Sequence, residues 1–381
     1  AEVFPADLTY LVGNPPFLGA RNQSKEQKAD LLAVFDGAKN AGNIDFCGAW
    51  YMKAARFTQG KHTRCALVST NSICQGEQVA NLWKPLHDMG IHIDFAHNTF
   101  RWDNEAMDKA HVFCVIVGFS REVSEKRLYL HETPDSPEVL HHPRNINAYL
   151  TDAPDVFIYG RKKPICKVPE MGTGNKPIDG GFYLFSNEEK SEFISDEPGS
   201  EPFFHPWLGS REFIHNDPRW CLWLGDASFS DLKNLPKCRE RIENVRKYRL
   251  ASSSAPTRKL AEKPTHFHVE NMPSGNSIVV PQVSSQRRRY IPMGFIGPET
   301  LCSDKLRLVP NGTIYQYGVL QSQFHNAWMR MVSGRLKNDY QYANSLAYNC
   351  FVWPDPTDAQ RIEIEHCAPV SYTHLTLPTN S

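Results

Sequence analysis

The sequence lacks any net charge: 42 Lys and Arg are balanced by 42 Asp and Glu over 381 residues. It also lacks an apolar run of membrane-spanning length, a basic-then-apolar leader and any Cys-x-x-Cys pair. Each absence excludes something. Balanced charge excludes a uniformly basic nucleic-acid coat. Without a long apolar run or a leader, no membrane segment is expected and the protein reads as cytoplasmic. The ten cysteines stand singly among ordinary hydrophobics, as around Cys65, Cys114 and Cys221, which predicts reduced, mostly buried thiols rather than a disulfide frame or zinc site. His141-His142 and His266-Phe-His268 read as surface or strand residues, so no metal site is expected. No internal repeat or low-complexity segment is found. Hydrophobic content of 41% and charged content of 22% are those of a globular protein with material for two or three domains.

What is present begins at Leu8 to Val12, read as a buried strand, which runs into Gly13-Asn14-Pro15-Pro16-Phe17. Proline fixes its own φ and pushes the residue before it out of the α region, so Asn14 and Pro15 are both held extended. Neither proline has an N–H, so local carbonyls have fewer internal donors and can face a ligand. Rigid acceptors beside the Phe17 ring suit a planar, amine-bearing ligand such as an extruded base. The plain alternative is a proline turn closed by a core Phe. A loop at the carboxyl end of a strand is where open α/β sheets bind ligands.

Further along, Ser24 to Lys39 predicts a helix with Ser24 as N-cap, and Asp45 to Phe57 a second with Phe46, Ala49, Trp50, Ala54 and Phe57 as its apolar face. Arg64 to Ser69 predicts a strand, Gly76 to Met89 a helix, and Ile91 to His97 a strand followed by an aromatic loop, Thr99 to Glu105. Ala110 to Phe119 and Arg127 to His131 then form a hairpin-like pair. This order is that of the second half of a doubly wound sheet. From Pro134 prolines cluster as in a linker, and Gly172-Thr173-Gly174 follows no strand, so it is not a nucleotide loop. Short strands (182–185, 221–224, 277–283, 305–309) and a basic helix at 235–250 predict an α+β domain; 317–331 and 335–346 read as helices. Between Lys237 and Arg289 twelve basic residues face four acidic ones, a candidate phosphate-binding footprint whose alternative is a solvated helix plus a loop.

The blocks Val12-Gly-Asn-Pro-Pro-Phe17-Leu-Gly19, Val68-Ser-Thr-Asn71 through Leu82-Trp83, and Thr99-Phe100-x-Trp102-x-Asn104-Glu105-Ala106 together resemble the methyltransferase core of MmeI-like restriction-modification enzymes. Arg219 to Leu224, Arg289-Tyr290-Ile291-Pro292 and His325 to Lys337 are similar to that family's target-recognition region. Val352 departs from the pattern, standing where the family has proline. The resemblance implies a γ-class adenine-N(6) DNA methyltransferase. Its fold would be α/β: a partial Rossmann-like class I methyltransferase sheet over 1–133, a linker over 134–177, an α+β target-recognition domain over 178–320 and a helical C-terminal cap over 321–368. Residues 369–381 resemble a translated adapter and are expected to be a non-native tail.

The resemblance further implies S-adenosylmethionine as cofactor and double-stranded DNA as partner. Asn14 and Pro15 would accept hydrogen bonds from the adenine amine, with Pro16 and Phe17 completing the catalytic loop. Phe17 would stack on one face of the flipped base, with Phe100 or Trp102 on the other. Asn14 and Asp45 would lie at the cofactor, although Asp45 could equally cap the helix that follows it. Arg287, Arg288, Arg289, Lys305 and Arg307 are candidate DNA contacts. A cofactor-binding half and a nuclease domain are expected ahead of this chain, which is then inactive as an isolated fragment. The rivals are a DNA-binding fragment without catalysis and a glutamine-modifying protein methyltransferase, which would not need the long region after about residue 160.

Overall fold

The computed structural model describes residues 8–38, 40–102, 112–336 and 338–375. The chain divides into two compact units, one of residues 1–161, 329–338 and 345–350 and the other of 162–328, 339–344 and 351–381. No helix of the described residues is long and apolar enough to cross a membrane.

The first unit is a mixed α/β layer. Its strands are β1 (Tyr10–Gly13), β2 (Arg64–Thr70), β3 (His92–Trp102), β4 (Val112–Ser120), β5 (Arg127–His131) and β6 (Glu138–His141), in the spatial order β1-β2-β4-β3-β5-β6. β1 runs parallel to β2 with Gly13 opposite Leu67, and helices α1 (Lys25–Val34) and α2 (Gly48–Phe57) make the crossover between them. Parallel neighbours need such a crossover. Ser24 caps α1 as expected, in a reciprocal capping box with Gln27.

Several expectations are corrected here. β1 is an edge strand rather than a buried one: it pairs only with β2 among the described residues, and Tyr10 and Val12 are 67% and 75% exposed. Of the expected apolar face of α2, Ala49 and Ala54 are buried, but Gly48, Tyr51, Met52 and Ala55 complete the buried stripe while Trp50 faces outward. The i, i+3, i+4, i+7 spacing fits this stripe equally well. The Tyr51 hydroxyl settles the choice, because it bonds Ser69 Oγ at 2.8 Å while its ring stacks on Phe119 at 5.2 Å. The helical run after β2 is α3 (Gly76–Gln78), a π segment (Val79–Trp83) and α4 (Lys84–Asp88), not one uniform helix. β3 continues through Thr99 to Trp102, so the first part of the expected aromatic loop is strand; Asn104, Glu105 and Ala106 lie outside the described residues. The hairpin is β3 with β4, and β5 adds in parallel on the other edge of β3.

The irregularity expected near Thr99 survives as a register shift between His97 and Phe100. There the Asn98 side chain takes over the ladder to β5, accepting from His131 N–H at 2.8 Å and donating to the His131 carbonyl at 3.3 Å. A second shift sits between Ile93 and Phe95. Beside it a Cβ on Gly118 would meet the Phe95 ring at 2.0 Å, so only glycine fits at that crossing.

The second unit carries two four-stranded sheets. One has the order Leu301–Cys302, Phe204–Leu208, Arg219–Leu222, Leu184–Phe185, and the other Gly294–Ile296, Ser277–Pro281, Leu306–Val309, Gly172–Thr173. Gly172 and Thr173 are therefore ladder residues, in line with their rejection as a nucleotide loop. The segment expected as one helix from Tyr317 is two, Ile314–Gln321 and Gln323–Val332, because Ser322 turns extended between them. Arg335 to Leu346 is not a helix: Gly334–Leu336 and Asp339–Gln341 are strands and Asn344–Tyr348 a π turn. The last helix, Asp358–Leu375, continues into the segment expected to be a non-native tail.

Candidate functional site

Between the end of β1 and Leu18 the chain makes no hydrogen bond among the described residues. Asn14 is exposed, Pro15 buried, Pro16 exposed and Phe17 half-buried, and among the described residues nothing holds the Asn14 amide, the Pro15 carbonyl or the Phe17 ring face. The acceptors that proline chemistry leaves without internal donors are thus unpaired in the fold, with Asn14 exposed and Pro15 buried. The first anchor is Leu18. Its N–H donates to Asp45 Oδ1 at 3.2 Å, and its carbonyl accepts from Phe46 N–H at 3.0 Å and Gln23 Nε2 at 3.3 Å.

Asp45 is 2% exposed. Its second oxygen accepts from Thr70 Oγ1 at 2.8 Å, at the carboxyl end of β2, and its own N–H donates to Gln78 Oε1 at 2.8 Å. The helix-cap alternative fails, since the N-cap of α2 is Cys47 and no side chain caps it. Burial, and then the Asp45 charge, push the Cys47 thiol well above its usual range, so it stays protonated.

Across the sheet Thr70 lies opposite Cys114, and Cys114 opposite Phe100. Two interstrand spacings are roughly 10 Å. The structure therefore brings Phe17, through Leu18, Asp45 and Thr70, and Phe100 to the same end of one sheet. Asn71 Nδ2 reinforces this by donating to Thr99 Oγ1 at 3.4 Å. Trp102 lies two residues farther out and is 45% exposed, its ring 6.2 Å from that of Phe100.

Sequence reasoning missed what stands behind Phe100. His131 lies 5.6 Å from its ring, and His97 stacks on Tyr129 at 4.2 Å with planes 3° apart. Burial lowers the His97 pKa and so favours the neutral ring. His131 Nδ1 donates to the Ser136 carbonyl at 2.8 Å, and its Nε2 is buried without a partner. Period-two alternation puts Tyr129 and His131 on one face, but only the pairing of β5 with β3 reveals which.

Part of the basic footprint is committed internally. Arg249 is fully buried and gives five hydrogen bonds of 2.8 to 3.1 Å to the carbonyls of Pro177, Ile178, Leu260, Lys263 and His266, so it is removed from the phosphate candidates. Lys237 pairs with Asp196, Arg241 lies 4.8 Å over the Phe185 ring, and Arg258 donates to the Ser252 and Ser253 carbonyls. Arg287 and Arg289 are exposed and Arg288 half-buried, on one turn. Both ends of that turn are fixed. Val283–Ser284 pairs with Asp339–Gln341, and the Ile291 N–H and carbonyl are taken by the Asn326 and Gln321 side chains. Lys305 is exposed, with its carbonyl accepting from Gln282 N–H at the root of the same segment. Arg307 is half-buried; it donates to Thr173 Oγ1 at 3.1 Å, and burial lowers its pKa. Among the described residues no group of three or more His, Cys, Asp or Glu could hold a metal ion, and the ten cysteines are free, eight of them buried.

Comparison with known proteins adds three findings. Residues 1–130 match the family described as MmeI, DNA-methyltransferase domain, and residues 152–355 that described as MmeI, target recognition domain. DNA methyltransferase A of Bacillus subtilis (strain 168) is 40% identical over 367 residues, covering 96% of this chain and 41% of that protein. The structure of the type IIL restriction-modification enzyme MmeI in complex with DNA superposes with a TM-score of 0.92 at 43% identity, over 98% of this chain and 50% of that one. The chain thus spans about two-fifths to one-half of these relatives.

Proposed function

From the premise that this chain belongs to the MmeI family, we propose that it is the base-binding and target-reading portion of an adenine-N(6) DNA methyltransferase of a restriction-modification system. The observation that carries this reading is the open acceptor loop, Asn14 to Phe17, at one end of a sheet that also presents Phe100. The parallel β1-α1-α2-β2 arrangement supports reading residues 1–133 as part of a Rossmann-like class I sheet. The second domain, about 178–320, would read sequence in double-stranded DNA, with 134–177 as linker and 321–368 as cap.

Adenine's amine is a poor nucleophile because its lone pair is delocalised into the ring. The Asn14 side-chain oxygen and the Pro15 carbonyl would accept its two N–H groups, favour pyramidalisation and stabilise the positive charge that develops on nitrogen. Phe17 and either Phe100 or Trp102 would hold the base by its faces. S-adenosylmethionine supplies an electrophilic methyl when bound. The residues described fit one wall of its site: Asn14 is exposed at the carboxyl end of β1 with no competing partner. Arg287, Arg288, Arg289, Lys305 and Arg307 would contact DNA, chiefly phosphates.

In the full-length protein, Asn14→Ala is expected to lower methyl transfer to adenine at least about 100-fold while DNA affinity stays within about threefold. Product analysis by mass spectrometry reads the first and a mobility shift the second. Undiminished N(6)-methyladenine would remove Asn14 from catalysis.

A further inference from the structure

We propose that Asp45 is a positioning residue that sets the catalytic loop, rather than a ligand of the cofactor; this rests on the reading above. The loop from Asn14 to Phe17 has no internal hydrogen bonds, so its geometry depends on where it is caught at each end. At the amino side it leaves the ladder of β1 at Gly13. At the carboxyl side it is caught one residue beyond Phe17, by Asp45 and Phe46 together. Asp45 Oδ1 takes the Leu18 N–H at 3.2 Å and Phe46 N–H donates to the Leu18 carbonyl at 3.0 Å, so both polar groups of Leu18 are fixed by two adjacent residues.

The other carboxylate oxygen is engaged as well, accepting from Thr70 Oγ1 at 2.8 Å. Its backbone N–H is held in turn by Gln78 Oε1. The side chain is 2% exposed, which leaves almost no surface for a ribose hydroxyl or an amine. Asp45 therefore links Leu18, the end of β2 and the start of the helical run after it. Through Thr70 the same row of the sheet reaches Cys114 and Phe100. The two aromatic residues proposed to hold the base are thus spaced through one buried carboxylate.

The chemistry of the contacts makes a graded test possible. Both donors to Asp45 are neutral, and the Thr70 hydroxyl can reverse to accept. An asparagine can therefore keep both bonds, with its oxygen on Leu18 N–H and its amide on Thr70. Alanine keeps neither. In the full-length protein Asp45→Asn is expected to hold kcat within about threefold, whereas Asp45→Ala lowers kcat by about 10- to 100-fold through misplacement of the loop. S-adenosylmethionine affinity by calorimetry stays within about threefold in both variants, and 2-aminopurine at the target position changes its fluorescence only in Asp45→Ala. If Asp45→Ala does not fold, Thr70→Val, which cannot donate, is expected to show a smaller fall in kcat with unchanged cofactor affinity. A loss of cofactor affinity of about tenfold or more in Asp45→Asn, with kcat at saturation intact, overturns the proposal and makes Asp45 a cofactor ligand. The Asn14→Ala control separates the two layers: if that variant methylates adenine at an undiminished rate, the catalytic role of the loop falls, whatever Asp45 does.

Discussion

Arg249 looks like a phosphate ligand in the sequence and behaves as a structural rivet in the fold. Its planar fork of five N–H groups meets five carbonyls, an arrangement lysine cannot reproduce. Arg249→Lys is expected to destabilise the protein by about 2–4 kcal/mol, because buried carbonyls lose their donors. The midpoint of urea unfolding measures this, and an unchanged midpoint would contradict the role. Asp45 teaches the same lesson in reverse. Its partner Leu18 is 27 residues away in the chain, so no local pattern reports that the carboxylate is already engaged. Asn14 to Phe17 were legible because proline acts on its immediate neighbours.

At the level of elements, the turn carrying Arg287, Arg288 and Arg289 is held at both ends by strand pairing and by the Asn326 and Gln321 amides. A turn ordered before binding loses less entropy when it meets a phosphate backbone. Replacing all three arginines with alanine is expected to reduce the slope of log affinity against log salt by up to about 3, since each phosphate contact contributes roughly 0.9. A slope unchanged between 50 and 200 mM salt, about the range where such effects are large, would dismiss the turn as a DNA contact. The elements themselves were readable where periodicity was strong, as in β2 and β5. They were misread where two answers share one pattern. The α2 stripe could turn either way until Tyr51 found Ser69, and Thr99 to Trp102 looked like loop because the alternation breaks where the structure has a register shift. The strand at Gly334–Leu336 was hidden because Arg335 and Leu336 are themselves good helix formers.

The whole chain is not a string of independent beads. The first unit includes residues 329–338 and 345–350, far from its main segment in sequence. Within that unit Asn349 Nδ2 donates to the Arg161 carbonyl at 2.8 Å, Ser345 Oγ to Glu77 Oε1 at 2.9 Å, and the Gly334 backbone approaches Gly76. A fragment ending at residue 161 is therefore expected to unfold at lower urea and less cooperatively than the same segment in the complete chain, as circular dichroism would show. Equal midpoints would mean that the returning segments are ornamental. One last consequence follows from β1, whose outer edge has no ladder partner among the described residues and lies beside exposed Tyr10 and Val12. Such an edge is a template for strand addition. The soluble fraction of this chain should then fall once a critical concentration is passed, after a lag that seeding abolishes, because the first edge-to-edge pairing is slow and each later one is fast; light scattering without a lag or a threshold would contradict this.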